Sequence, residues 1–135
     1  MAAPKRVAYF KAKLEDKPGA ILAFTQLLKS KNIGLSGLWG YGTQTGEAEV
    51  VCIPKNPDKF RTFAKSAGLA VQEGTGFLLK GTDKTGALVK TFQAIAKAGV
   101  NIITGNAMAA GGTYTAFLQV SAADTEKTGA AIGAK

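Results

Sequence analysis

Asp16-Lys17-Pro18-Gly19-Ala20-Ile21 returns later in the chain as Asp83-Lys84-Thr85-Gly86-Ala87-Leu88, an offset of 83 − 16 = 67. Read outward from those hexapeptides, the same offset holds without a gap: it pairs Gln26 with Gln93, Leu28 with Ile95, Ile33 with Val100, Leu35 with Ile102, Val51 with Leu118 and Ile53 with Val120. Conservation of chemical type over that span marks a duplicated structural unit rather than a chance match of one loop.

Hydrophobic period assigns the elements of each copy. Ala8, Phe10, Ala12 and Leu14 alternate with Tyr9, Lys11 and Lys13, a strand with one buried face. A helix follows with Ala20, Ile21, Phe24, Leu27 and Leu28 on one side; Pro18 suits its first turn and Asp16 is placed to cap its free amides. Ile33 to Tyr41 is extended and broken by glycines, Thr43-Gln44-Thr45-Gly46 is a turn, and Glu47 to Ile53 returns as a strand. Asn56 caps a second helix carrying Phe60, Phe63, Ala64 and Ala67 and stopped at Gly68, and Leu69 to Gln72 is a short closing strand. The second copy reads as strand (75–80), helix (87–98), strand (101–108), turn (110–112), strand (113–120) and a last helix from Asp124. The pattern is α+β, two βαββαβ units in tandem, residues 1–73 and 74–135, with antiparallel sheets and helices on one face. The counterpart of Leu69 would be position 136, so the second unit lacks its last strand. An open sheet edge is normally covered, and another segment or another subunit is expected there.

Composition narrows the function classes. At 135 residues and 46% hydrophobic, the chain supports one core or two small ones. It carries no run of roughly 18 apolar residues and no apolar leader after Met1, so neither a membrane span nor secretion is expected and a cytoplasmic location is. Cys52 is the single cysteine and there is no histidine, which leaves no disulfide and argues against a metal site; Cys52 reads as a buried small hydrophobe. The net charge of +8 raises nucleic acid as a partner, but only Arg6 and Arg61 are arginines and the lysines are scattered. Lys5, Arg6, Lys11 and Lys13 are the one local concentration. Gly105-Asn106 and Ala110-Gly111-Gly112-Thr113 look like a phosphate loop only superficially, without the lysine that such loops carry.

A strand, then Asp-x-Pro-Gly-Ala, a helix and Asn-Ile at the next strand resembles the ACT domain, a family of ferredoxin-like regulatory modules in enzymes of amino-acid biosynthesis such as aspartate kinase. The resemblance covers nearly the whole chain and no catalytic domain. It implies that the first loop and the start of the second strand bind an amino acid between paired modules. The matching residues are Asp16, Gly19 and Ala20 in the first unit and Asp83, Gly86, Ala87, Asn101 and Ile102 in the second. Gly34 stands where the first unit should have an asparagine, and Thr85 replaces the proline. The chemistry of these positions is consistent with a zwitterion: glycine admits a ligand to the backbone, free amides at a helix start favour a carboxylate, and Asp83 with Asn101 would receive an ammonium. The bland alternative is that the glycines serve loop packing and the aspartates cap helices.

The expected function is therefore non-catalytic: a small-molecule sensor, for an amino acid, acting through ligand-linked oligomer or partner interactions as a homodimer, without cofactor. The alternative is a ligand-independent oligomerisation scaffold whose binding loops are vestigial. An enzyme is disfavoured by the absence of histidine, of a serine in a nucleophile-elbow setting and of paired carboxylates at a recognisable spacing.

Overall fold

The computed structural model describes residues 3–135. The elements are β1 (Lys5–Glu15), α1 (Ala20–Ser30), β2 (Leu35–Gly42), β3 (Glu47–Pro54), α2 (Pro57–Ser66), β4 (Val71–Thr82), α3 (Val89–Lys97), β5 (Ile102–Ala110), β6 (Thr113–Val120), a 3-10 turn (Ala122–Asp124) and α4 (Thr125–Ile132). They form two compact units. One is Ala8–Gly74; the other is Thr75–Lys135 together with residues 3–7.

In the first unit the strand order is β2-β3-β1. β1 and β3 are antiparallel with Phe10 opposite Cys52 and Ala12 opposite Val50. Those four side chains share one face of the pleat. Phe24 and Leu28 of α1, and Phe60, Phe63 and Ala64 of α2, close over that face as a single core. Asn56 caps α2 as expected, its side chain accepting the Lys59 N–H at 3.1 Å, and Pro57 occupies the first helical position. Cys52 lies in this core, where burial pushes its thiol up to about 12.

In the second unit the order is β5-β6-β4. Phe77 and Leu79 of β4 pair with Leu118 and Ala116 of β6, and Ile95 of α3 and Ile132 of α4 pack on that same face. The start of β1 meets the last residue of the chain and α4 in this unit. The Arg6 N–H donates to the Lys135 carbonyl at 2.9 Å, the Lys135 N–H donates to the Pro4 carbonyl at 3.3 Å, and the Arg6 guanidinium meets Glu126 of α4 at 2.6 Å. The first residues of the chain, expected in the first unit, cluster with the second.

Four local expectations need correction. The two short strands expected at 69–72 and 75–80 are one continuous β4, because Glu73-Gly74 continues the extended backbone instead of turning. α3 begins at Val89 rather than Ala87. Asp16 and Asp83 do not cap: neither α1 nor α3 has a side-chain cap. On α1 only Phe24 and Leu28 are buried, while Ile21 and Leu27 of the expected inner face stay exposed, Ile21 in the first turn at the end of the helix and Leu27 about 100° round the helix from Leu28.

Candidate functional site

The repeated hexapeptide forms a turn that precedes each helix. In the first unit the Ala20 N–H donates to the Lys17 carbonyl at 3.3 Å, and Gly19 sits at φ 86° and ψ −8°. That is the third position of a turn that requires positive φ, with Pro18 before it pre-setting the required φ. In the second unit the Ala87 N–H donates to the Lys84 carbonyl at 3.1 Å and Gly86 has φ 74°. Thr85 replaces proline there because the second turn position tolerates most residues. Proline and glycine thus serve the turn, not the helix start.

Backbone bonds hold each loop against the tip of its hairpin. The Asp16 N–H donates to the Gly46 carbonyl at 3.1 Å and the Asp83 N–H to the Gly112 carbonyl at 3.0 Å. A cleft results between loop, helix start and hairpin in each unit. The second-unit cleft, about 350 Å³, is lined by Asp83, Lys84, Gly86 and Ala87 of the loop, Leu88, Val89 and Phe92 of the helix side, and Ala107, Met108, Ala109 and Tyr114 of the hairpin. The first-unit cleft, about 260 Å³, includes Asp16, Lys17, Ala20 and Ile21 with Gly40, Tyr41, Gly42 and Glu49.

The clefts differ in charge and in filling. Lys17 pairs with Glu15 at 2.8 Å, which draws the Glu15 carboxyl below its ordinary range and raises the Lys17 ammonium. The Tyr41 hydroxyl donates to Glu49 at 2.5 Å, and that bond raises its own ionisation. The Asp16 carboxylate lies over Gly42, so close that a Cβ there would be 2.8 Å from Oδ2. In the second unit the counterparts of Glu15, Tyr41, Gly42 and Glu49 are Thr82, Met108, Ala109 and Ala116. Among the described residues neither Asp83 nor Lys84 has an ion-pair partner.

Of the residues singled out in the sequence, Asp83, Gly86 and Ala87 are brought together, as are Asp16 and Ala20, with Gly19 shaping the turn beside them. Asn101 and Ile102 are not. They lie at the opposite end of β5 from the Asp83 loop, and a nine-residue strand spans roughly 25–30 Å. Gly34, the counterpart of Asn101, likewise lines a separate hollow with Lys29, Asn32 and Ile33. Lys84, Val89, Phe92 and Tyr114 were not foreseen in the sequence. The signal for Lys84 was present, since Glu15 two residues before Lys17 becomes Thr82 before Lys84. A wider hollow of about 630 Å³ in the first unit, lined by Lys11, Lys13, Glu49 and Gly68 to Gln72, lacks the loop amides. Among the described residues no three acidic or cysteine side chains gather closely enough to hold a metal ion, and no helix is long and apolar enough to cross a membrane.

No family model matches the chain, and no curated protein sequence does. Solved structures do. Protein BT0572 from Bacteroides thetaiotaomicron superposes with a TM-score of 0.80 at 22% identity, over 96% of this chain and 90% of that one. The regulatory subunit of aspartate kinase from Thermus thermophilus, in a ligand-free form, gives 0.65 at 14% identity over 97% and 93%. The corresponding subunit from Thermus flavus gives 0.61 at 15% identity over 98% and 95%. The chain therefore shares the α+β, ACT-like fold of aspartate kinase regulatory subunits over nearly its full length.

Proposed function

We propose that the protein is a non-catalytic regulatory module that binds a free amino acid in the second-unit cleft. The observation that carries this reading is the company Asp83 and Lys84 keep. Two opposite charges, with no ion-pair partner among the described residues, line an apolar cleft whose size, about 350 Å³, falls within the roughly 300–1,000 Å³ of small-ligand pockets. An amino acid's ammonium would meet Asp83. Its carboxylate would meet Lys84 close to the start of α3, where the helix dipole favours negative charge. The side chain would lie between α3 and β5. The likeness to regulatory subunits of aspartate kinase supports the same reading by fold. Regulation follows if the ligand binds one oligomeric or partner-bound state more tightly than another, and a homodimer is the assembly we propose. Exposed Val89, Phe92 and Met108 around the cleft mouth offer surface for it.

Thermal unfolding against the twenty amino acids tests this. A ligand at about 100 times its Kd adds about 2.7 kcal/mol, a readily visible rise in midpoint. Asp83→Ala should abolish the rise, and Asn101→Ala, far along β5, should leave it. If no amino acid moves the midpoint while the chain dimerises regardless, the scaffold reading replaces the sensor.

A further inference from the structure

We infer that the two loop clefts are not equivalent: each chain takes one ligand, in the second unit, and that ligand is an amino acid with an uncharged apolar side chain. The inference rests on the sensor reading and goes further by assigning stoichiometry and specificity. Charge is the first argument. The first cleft is lined by Glu15, Asp16 and Glu49 against Lys17, with Lys11 3.8 Å from Glu49, a balance of 2 − 3 = −1, whereas the second holds Asp83 against Lys84, 1 − 1 = 0. A ligand carboxylate approaching the first loop meets three carboxylates and a lysine already engaged by Glu15 at 2.8 Å. At the second loop it meets a free lysine.

Space is the second argument. In the first unit Asp16 rests on Gly42, Tyr41 and Glu49 are bonded to each other, and the remaining volume, about 260 Å³, is smaller than that of the second cleft, about 350 Å³. In the second unit Ala107 and Ala109 stand on β5 where Gly40 and Gly42 stand on β2, and the counterparts of Glu15 and Glu49 are the uncharged Thr82 and Ala116. Leu88, Val89, Phe92 and Tyr114 complete an apolar wall. A charged side chain placed there would lose hydration without a partner beyond Asp83 and Lys84, both needed for the ligand's head. Ala109 is accordingly the residue that sets side-chain size.

Isothermal titration of the full chain with valine, leucine, isoleucine, methionine, phenylalanine, lysine, arginine, aspartate and glutamate decides it. The expected result is binding of one or more of the first five at one site per chain. Ala109→Leu should weaken it about tenfold or more, as methylene-scale misfits do. Lys84→Glu, which gives the second loop an acidic character like the first, should also weaken it with the fold kept by circular dichroism. Two sites per chain, tighter binding of a charged amino acid, or an unaltered affinity in Ala109→Leu would each overturn the inference and leave the sensor reading standing. Absence of binding by all nine would likewise overturn the inference, and silence of all twenty amino acids in thermal unfolding would remove the sensor reading with it.

Discussion

The two units share a frame and differ in what fills it. Under α2 the first unit stacks aromatic rings, with Phe10 and Phe60 centroids 4.5 Å apart and Phe60 and Phe63 5.7 Å apart. Phe77 keeps the place of Phe10 in the second unit, but the counterparts of Phe60 and Phe63 on α4 are Lys127 and Ala130. The clefts diverge the other way: the first is closed by its own polar side chains, the second is open and apolar. One copy carries the larger aromatic core and the other the better ligand cleft. Duplication permits that division, since loss of a site in one copy leaves the other to bind.

The sharpest way to break this comparison is to remove the rings. Phe60 is fully buried, and Phe60→Ala should cost about 3–5 kcal/mol in denaturant unfolding. Lys127→Ala, at the equivalent position, should stay within about 0.5 kcal/mol. Equal costs would mean that α2 and α4 contribute alike. A second pair of substitutions tests a device the units have in common. A Cβ at Gly74 would enter the Tyr9 ring, and one at Gly76 would enter the Phe117 ring and reach the Leu118 carbonyl at 3.0 Å. Both rings are buried and have little room to retreat, so Gly74→Ala and Gly76→Ala should each destabilise by about 1–3 kcal/mol. A neutral result at one of the two would show that its ring swings aside.

Much of this frame was legible in the sequence, because a repeat with alternating and helical hydrophobic period constrains element type strongly. The strand from Ala8, the β2–β3 and β5–β6 hairpins, the Asn56 cap and the helix after Asp124 all follow from local residue chemistry. The fused β4 does not, because Glu73-Gly74 reads as a turn when Tyr9, whose ring lies against Gly74, is out of view. The use of the first residues in the second unit is also invisible locally, since it depends on a contact between Arg6 and Lys135. At the clefts, the loop residues were found by repetition. Their roles were not: proline and aspartate next to a helix suggest a cap, and only the Gly19 and Gly86 backbone angles identify a turn instead. The separation of Asn101 from Asp83 follows from strand length and direction, which spacing alone does not supply.

A smaller effect is expected from the caps. Asn56→Ala removes the side-chain acceptor of the Lys59 N–H at the start of α2 and should cost about 1 kcal/mol in thermal or denaturant unfolding. α4 has no side-chain cap to lose. A cost near zero at Asn56 would mean that the aromatic core, and not its start signal, determines α2.

The smallest effect concerns how each unit clamps its second helix. In the first, Arg61 of α2 donates twice to Glu73 of β4, at 2.8 and 2.6 Å. In the second the polarity is reversed: Arg6 of β1 donates once to Glu126 of α4, and its Nε is buried with no hydrogen-bond partner among the described residues. The arginine hydrogen bond lowers the Glu73 carboxyl below its ordinary value, and Arg6 does the same for Glu126. A carboxyl depressed in the folded state contributes stability that is present above its unfolded value, about 4.3, and is lost as pH falls through the lower folded value. Both clamps should therefore weaken on acidification below about pH 4, and both should be damped by 1 M salt because all four side chains reach solvent. Glu73→Gln should flatten the acid limb of the stability curve more than Glu126→Gln, since a two-pronged contact holds its geometry better than a single one. Equal flattening would place the two clamps on the same footing and confine the difference between the units to their cores and clefts.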